Sequence, residues 1–132
     1  MRALLFALLS LFCLAAAPVR AATIDVSDDH GGSVAAYAAR WAGLAAQGVS
    51  VRIVGPCQSA CTVLLAHIPY DRICVTPQAR FGFHQAHLAS ATATLWAGYS
   101  AGIREWIDSR GGLTPDFKWM GAPDTYRFFH KC

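Results

Sequence analysis

The sequence predicts an α/β fold with a mostly parallel sheet built from βαβ units. Three observations carry that expectation. Residues 22–54 change from strand-like alternation to a helical period and back within some thirty positions. A segment that is apolar all round, "SACTVLLAHI", comes next. Two short strand-like runs and a long amphipathic segment then follow.

The chain opens with a segment of another kind. Arg2 precedes the apolar run "ALLFALLSLFCLAAA", and Val19 and Ala21 occupy the small-residue positions of a cleavage site. That is the anatomy of a secretory signal peptide over residues 1–21, which leaves one domain, residues 22–132. No later stretch approaches the length of a membrane span, so no stable span is expected after cleavage. A periplasmic or secreted location follows.

Within the domain, "TIDVSDD" alternates like a strand. Val34, Tyr37, Trp41 and Leu44 then fall on one helical face, and Gly48 supplies a stop. "VSVRIVG" reads as a second strand, completing a parallel βαβ unit. "SACTVLLAHI" predicts a buried helix ended by Pro69. "RICVT" and "ARFGFH" predict strands separated by "PQ". Residues 91–110 predict one amphipathic helix with Leu95, Tyr99, Ile103 and Trp106 on a face and Gly111 and Gly112 as the stop. The tail after Gly112 has turn signals but no clear period.

The charge pattern excludes some partners. Arg2 and Arg20 leave with the signal, so the remaining chain is nearly charge-balanced. No basic patch or stacking platform points to nucleic acid. Four cysteines remain: Cys57, Cys61, Cys74 and Cys132. An even number in an exported chain favours disulfides over thiols. Three pairings are open, and Cys57 with Cys61 and Cys74 with Cys132 is the preferred one.

Three places could carry chemistry. Ser59 sits where a strand turns into a helix, so it is either an N-cap or an exposed nucleophile. The amide that follows it, that of Ala60, lies at a helix start where N–H groups lack intrahelical partners. His84 ends a strand, where parallel sheets place their sites, and a neutral imidazole there could take a proton from Ser59. Gly31 and Gly32 form a turn between the first strand and first helix whose amides could approach a ligand closely. A zinc site from Cys57, Cys61, His84 and His87 has suitable ligand types but no recognised spacing. No metal and no cofactor are therefore expected.

Taken in order, "HGGSVAAYAARWAGLAAQGVSVRIVGPCQSACTVLLAHIPYDRICVTPQARFGFHQ" resembles the core of the Clp-protease and crotonase superfamily. It is closer still to small exported Clp-like proteins of uncertain function. Gly31-Gly32, Ser59 and His84-Gln85 keep the order of that family's glycine turn, serine and histidine. The resemblance implies a reduced Clp/crotonase-like fold, with Ser59 as nucleophile, His84 as general base and the amides of Gly31 and Ala60 as an oxyanion hole. It also implies a downstream aspartate, for which Asp124 is the first choice and Asp116 the alternative.

The implied activity is hydrolysis of a peptide or ester carbonyl by a serine hydrolase. A non-catalytic binding or assembly module is the alternative on the same fold. Relatives on this fold often form trimers or larger rings, so a homo-oligomer is compatible with the resemblance. Loops that dock an ATP-driven unfoldase are missing, so a processive barrel role does not transfer.

Overall fold

The structure, a computed structural model, describes residues 20–132. The expected signal peptide therefore falls almost wholly outside the described residues. Strand β1 (Thr23–Val26), helix α1 (Val34–Ala46) and strand β2 (Ser50–Ile53) form the first unit. The two strands pair in parallel, with Thr23 opposite Ser50 and Val26 opposite Ile53. Ser33 caps α1 by accepting a hydrogen bond from the Ala36 amide. The apolar face of α1 packs inward, with Val34 and Trp41 buried. Gly48 ends the turn with φ +72, a conformation in which a side chain would be strained.

After β2 the chain leaves the first sheet. The amides of Val54 and Gly55 both donate to the carbonyl of Val26, at 2.8 and 3.2 Å. Gly55 lies so near β1 that a Cβ on it would stand 2.1 Å from the Ser27 carbonyl oxygen. Only glycine lets the backbone pass there. Strand β3 (Pro56–Gln58) then begins a second sheet and runs into a 3-10 helix, Ser59–Ala66. Residues Ala60 to Leu65 of that helix are all buried, as an all-round apolar composition requires.

Strands β4 (Ile73–Val75) and β5 (Arg80–Phe83) match the two expected runs but belong to different sheets. The first sheet has the order β1-β2-β4-β7, with β7 at His130–Lys131, and its pairings are parallel. The second has the order β3-β5-β6, with β6 at Lys118–Met120. There β3 and β5 are parallel and β5 and β6 antiparallel. The fold is thus mixed α/β with a parallel main sheet.

The single amphipathic helix expected over residues 91–110 is instead two, α2 (Ala89–Gly98) and α3 (Ala101–Asp108). Tyr99 is extended at φ −79 and ψ 141. Ser100 starts the next helix, its hydroxyl accepting from the Ile103 amide at 3.3 Å. Leu95, Tyr99, Ile103 and Trp106 nevertheless all reach the core. Trp41 is also fully buried, so both tryptophans serve packing.

Both preferred disulfides are present. Cys74–Cys132 ties the C-terminus to β4 beside the β4–β7 pairing. Its sequence separation is 58, and closing a loop of that length contributes about 4 kcal/mol by the chain-entropy argument.

The tight passage at residue 55 generates a prediction. Gly55→Ala should lower the unfolding free energy by about 1–3 kcal/mol or more in urea titrations, because the Ser27 carbonyl it meets is backbone, just past the end of β1, and cannot swing aside as a side chain could. Gly43→Ala, in open space on α1, should raise it by up to about 1 kcal/mol.

Candidate active site

The pairing of β3 with β5 sets Gln58 opposite Gly82, so the C-terminal ends of two parallel strands lie side by side. Ser59 follows one end and His84 the other. Ser59 adopts φ +56 and, among the described residues, is the one non-glycine with a positive φ. That left-handed conformation costs about 1–2 kcal/mol. Ser59 is the first residue of the 3-10 helix. Gln58 takes the N-cap position, and no side chain caps this helix. The Ser59 Oγ instead lies 2.8 Å from the His84 Nε2.

Three features hold that turn. Cys57 and Cys61 are both fully buried, and their disulfide bridges the residues on either side of Ser59. The Thr62 hydroxyl donates to the Ser59 carbonyl at 2.7 Å. Thr62 then has its proton committed, so the Tyr99 hydroxyl at 2.6 Å is the donor to it. Burial pushes the Tyr99 phenol well above its ordinary range, which keeps that donor protonated. The disulfide also removes both thiolates from the zinc set considered above.

The His84 ring is stacked on Phe117, with centroids 4.2 Å apart and planes 25° apart. Phe117 stacks in turn on Trp119 at 5.3 Å. Burial lowers the proton affinity of His84 below the ordinary histidine value. The Pro115 backbone carbonyl near the ring pulls it back up in part, and nearby His87 lowers it again. With Nε2 committed to Ser59, Nδ1 is the nitrogen left for Pro115. That tautomer leaves Nε2 as the acceptor of the serine proton.

The glycine turn and the Ser59–Ala60 peptide are in contact. Gly31 has φ +79, and a Cβ there would lie 2.7 Å from the Gln58 carbonyl oxygen and 2.8 Å from the Ala60 nitrogen. The Gly31 amide, however, is not free. It donates to Asp29 Oδ1 at 2.9 Å, which also accepts from the Tyr37 hydroxyl at 2.7 Å. The Ala60 amide keeps the position expected of a helix-start donor, whereas the expected Gly31 donor is turned into its own loop. The Gly32 amide has no acceptor among the described residues.

Asp29 is the residue sequence reasoning missed. The signal was the "DHG" run, an aspartate two residues before a glycine, which is an Asx-turn pattern. Its backbone also bridges to β3: the Asp29 amide donates to the Pro56 carbonyl and the Gln58 amide donates to the Asp29 carbonyl, each at 2.9 Å. Asp29 thereby fastens the glycine turn to the strand that carries Ser59.

Asp124 does not join His84. Its Oδ2 accepts from the Trp106 Nε1 at 2.8 Å and from the Arg110 guanidinium at 3.1 Å. The cause is the 3-10 helix Asp124–Arg127, which turns this carboxylate toward α3. Asp116, the alternative, is exposed, and its backbone carbonyl, not its carboxylate, takes the local hydrogen bonds from Thr114 and Lys118. No carboxylate hydrogen-bonds His84 among the described residues. The arrangement is a serine–histidine pair whose imidazole stacks on Phe117 and lies near the Pro115 backbone carbonyl.

The pair opens into a cleft of about 720 Å³ between the start of α1 and the loop leading into α2. Gly31, Gly32, Ser59, His84 and Phe117 all border it. Among the described residues, no cluster of three or more metal-ligating side chains is present, and no helix is long and apolar enough to cross a membrane.

The role of Asp124 is open to a direct check. Asp124→Ala should cost about 1–3 kcal/mol of stability, because it strands the part-buried Trp106 N–H. It should leave the His84 titration, followed by imidazole proton NMR, unchanged. No model of a known protein family matches the chain, and no protein of curated function matches it.

Proposed function

We propose that the protein is an exported serine hydrolase on a reduced Clp/crotonase-like scaffold, acting on a peptide or ester carbonyl through an acyl-enzyme. The observation that carries this reading is the 2.8 Å approach of the Ser59 hydroxyl to His84 Nε2 at a strained strand-to-helix turn. Neutral His84 takes the Ser59 proton as Oγ attacks the carbonyl carbon. The oxyanion that forms faces the Ala60 amide and the glycine turn, and one such donor typically contributes about 3–4 kcal/mol. His84, now protonated, gives its proton to the leaving group. Water then repeats the sequence and frees the acid. The Pro115 carbonyl has the orienting role usually held by a carboxylate. Two disulfides suit a periplasmic or secreted setting.

A second reading, a binding module without turnover, draws on two specific features. No carboxylate supports the imidazolium, and the Gly31 amide is engaged by Asp29.

The two readings separate experimentally. A fluorophosphonate should label Ser59, and Ser59→Ala should abolish both labelling and ester hydrolysis. His84→Ala should slow them by about 10²–10⁴-fold. Because His84 works as the neutral base and its proton affinity is lowered, kcat/KM should rise with pH through a midpoint below 6.5. His87→Gln removes one of the lowering influences, so it should move that midpoint up toward 6.5. Failure of any residue to react, with a folded sample, leaves the binding module.

A further inference from the structure

The cleft beside Ser59 has a chemical character that the serine–histidine pair does not dictate. Val34, Ala35, Ala86, Leu88, Ala91 and Phe117 supply its walls. Its polar side chains are histidines and short hydroxyls, and among the described residues no Asp, Glu, Lys or Arg borders it. A charged group entering it would lose hydration with no permanently charged partner of opposite sign.

Leu88 is the second observation. It stands just before α2 in an extended conformation and is 67 % exposed. The other large apolar side chain left exposed among the described residues, Trp119, is only 38 % exposed and is covered by the Arg80 guanidinium 4.6 Å from its ring. Leu88 therefore presents bare apolar surface at the edge of the cleft.

We infer that the cleft binds an uncharged apolar chain of several carbons attached to the acyl side of the carbonyl, with Leu88 and Ala91 as specificity-determining residues. The placement of the carbonyl at Ser59 rests on the hydrolase reading; the preference for an apolar chain rests on the walls. Each methylene brought out of water onto those walls strengthens binding by about fourfold. The small side chains of Ala35 on α1 and Ala91 on α2 leave the volume that the chain fills. Such a chain occurs in simple acyl esters and in unbranched apolar side chains of peptides, and the chemistry recognised is the same.

The test measures binding apart from turnover. The Ser59→Ala protein is titrated with methyl hexanoate, methyl acetate and monomethyl succinate, with the Leu88 methyl signals followed by NMR. Methyl hexanoate should bind at least tenfold tighter than methyl acetate, and the charged succinate ester no tighter than acetate. Ala91→Trp in the same background should lose at least tenfold of the hexanoate affinity. Equal affinities for all three esters, tightest binding by succinate, or hexanoate binding that leaves Leu88 unmoved would overturn the inference. If Ala91→Trp does not fold, Ala35→Leu probes the opposite wall and should weaken hexanoate binding in the same sense.

N-acetylnorleucine methyl ester carries the same chain on a peptide-like unit. Binding tighter than hexanoate identifies a peptide source, and weaker binding a simple acyl ester. Chain-length selectivity without hydrolysis by the unmodified protein would remove the hydrolase reading and leave this one standing. Hydrolysis with no chain-length preference would do the reverse.

Discussion

The backbone conformation of Ser59 is the constraint from which the rest of the site follows. A left-handed serine is unfavourable by itself, and it persists only where its surroundings over-determine it. Here the disulfide closes the segment across it, Thr62 and Tyr99 hold its carbonyl, and the β3–β5 pairing fixes the strand before it. The disulfide, Thr62 and Tyr99 are buried, so the bond between the two hydroxyls operates away from competing water. Were φ at residue 59 to relax to the helical region, Ser59 would become an ordinary first residue of the helix. The contact with His84 would be lost.

That constraint reaches His84 through strand register. Gly82 lies opposite Gln58 because nothing larger fits there: a Cβ would stand 2.9 Å from both the Gln58 Cβ and the Trp119 ring. The same ring belongs to the row Trp119–Phe117–His84, so the residue that sets the register also backs the stack that orients the imidazole. A shift of one residue in β5 would place His84 on the wrong face. Two residues 25 apart in sequence thus meet through sheet pairing and one aromatic wall.

How much of this was legible in the sequence depends on the range of the determining contacts. The βαβ start, the buried helix after Ser59 and the two strand runs were readable because period and capping are local properties. The approach of Ser59 to His84 was foreseeable from their both ending parallel strands, and disulfide formation from an even cysteine number in a chain expected to be exported, with the pairing itself only preferred among three. The break at Tyr99 was not, because the apolar face continues across it and only the Ser100 cap and the buried Thr62 partner disclose the interruption. The division into two sheets was hidden for a similar reason: β4 and β5 both read as short strands, and only their pairing partners, β2 and β3, assign them to different sheets. Asp124 was misplaced as a histidine partner because order along a chain does not tell which way a carboxylate turns. Its competitors, an indole N–H and a guanidinium, lie on α3 and were invisible to a spacing argument.

The exchange of a carboxylate for a carbonyl at His84 has an electrostatic consequence. A carboxylate would stabilise the imidazolium with a full charge at short range, whereas the Pro115 carbonyl offers only a dipole. Burial against Phe117 opposes the charged form further. Burial holds the ring neutral in the resting state, which suits proton acceptance, and the carbonyl dipole offsets less of that penalty than a carboxylate would, so the protonated intermediate lies higher. Under the proposed mechanism the deficit falls on the proton-transfer step, so the carbonyl attacked must carry more of the driving force itself. A good leaving group lessens that demand, because the tetrahedral intermediate then collapses with little help from an acid. An ester meets this condition better than an amide, whose amine must be protonated by His84 before it can leave. The same reasoning gives the apolar walls of the cleft a part in the chemistry: a chain seated there orients the carbonyl on Ser59, and binding energy from that remote group offsets what the histidine lacks.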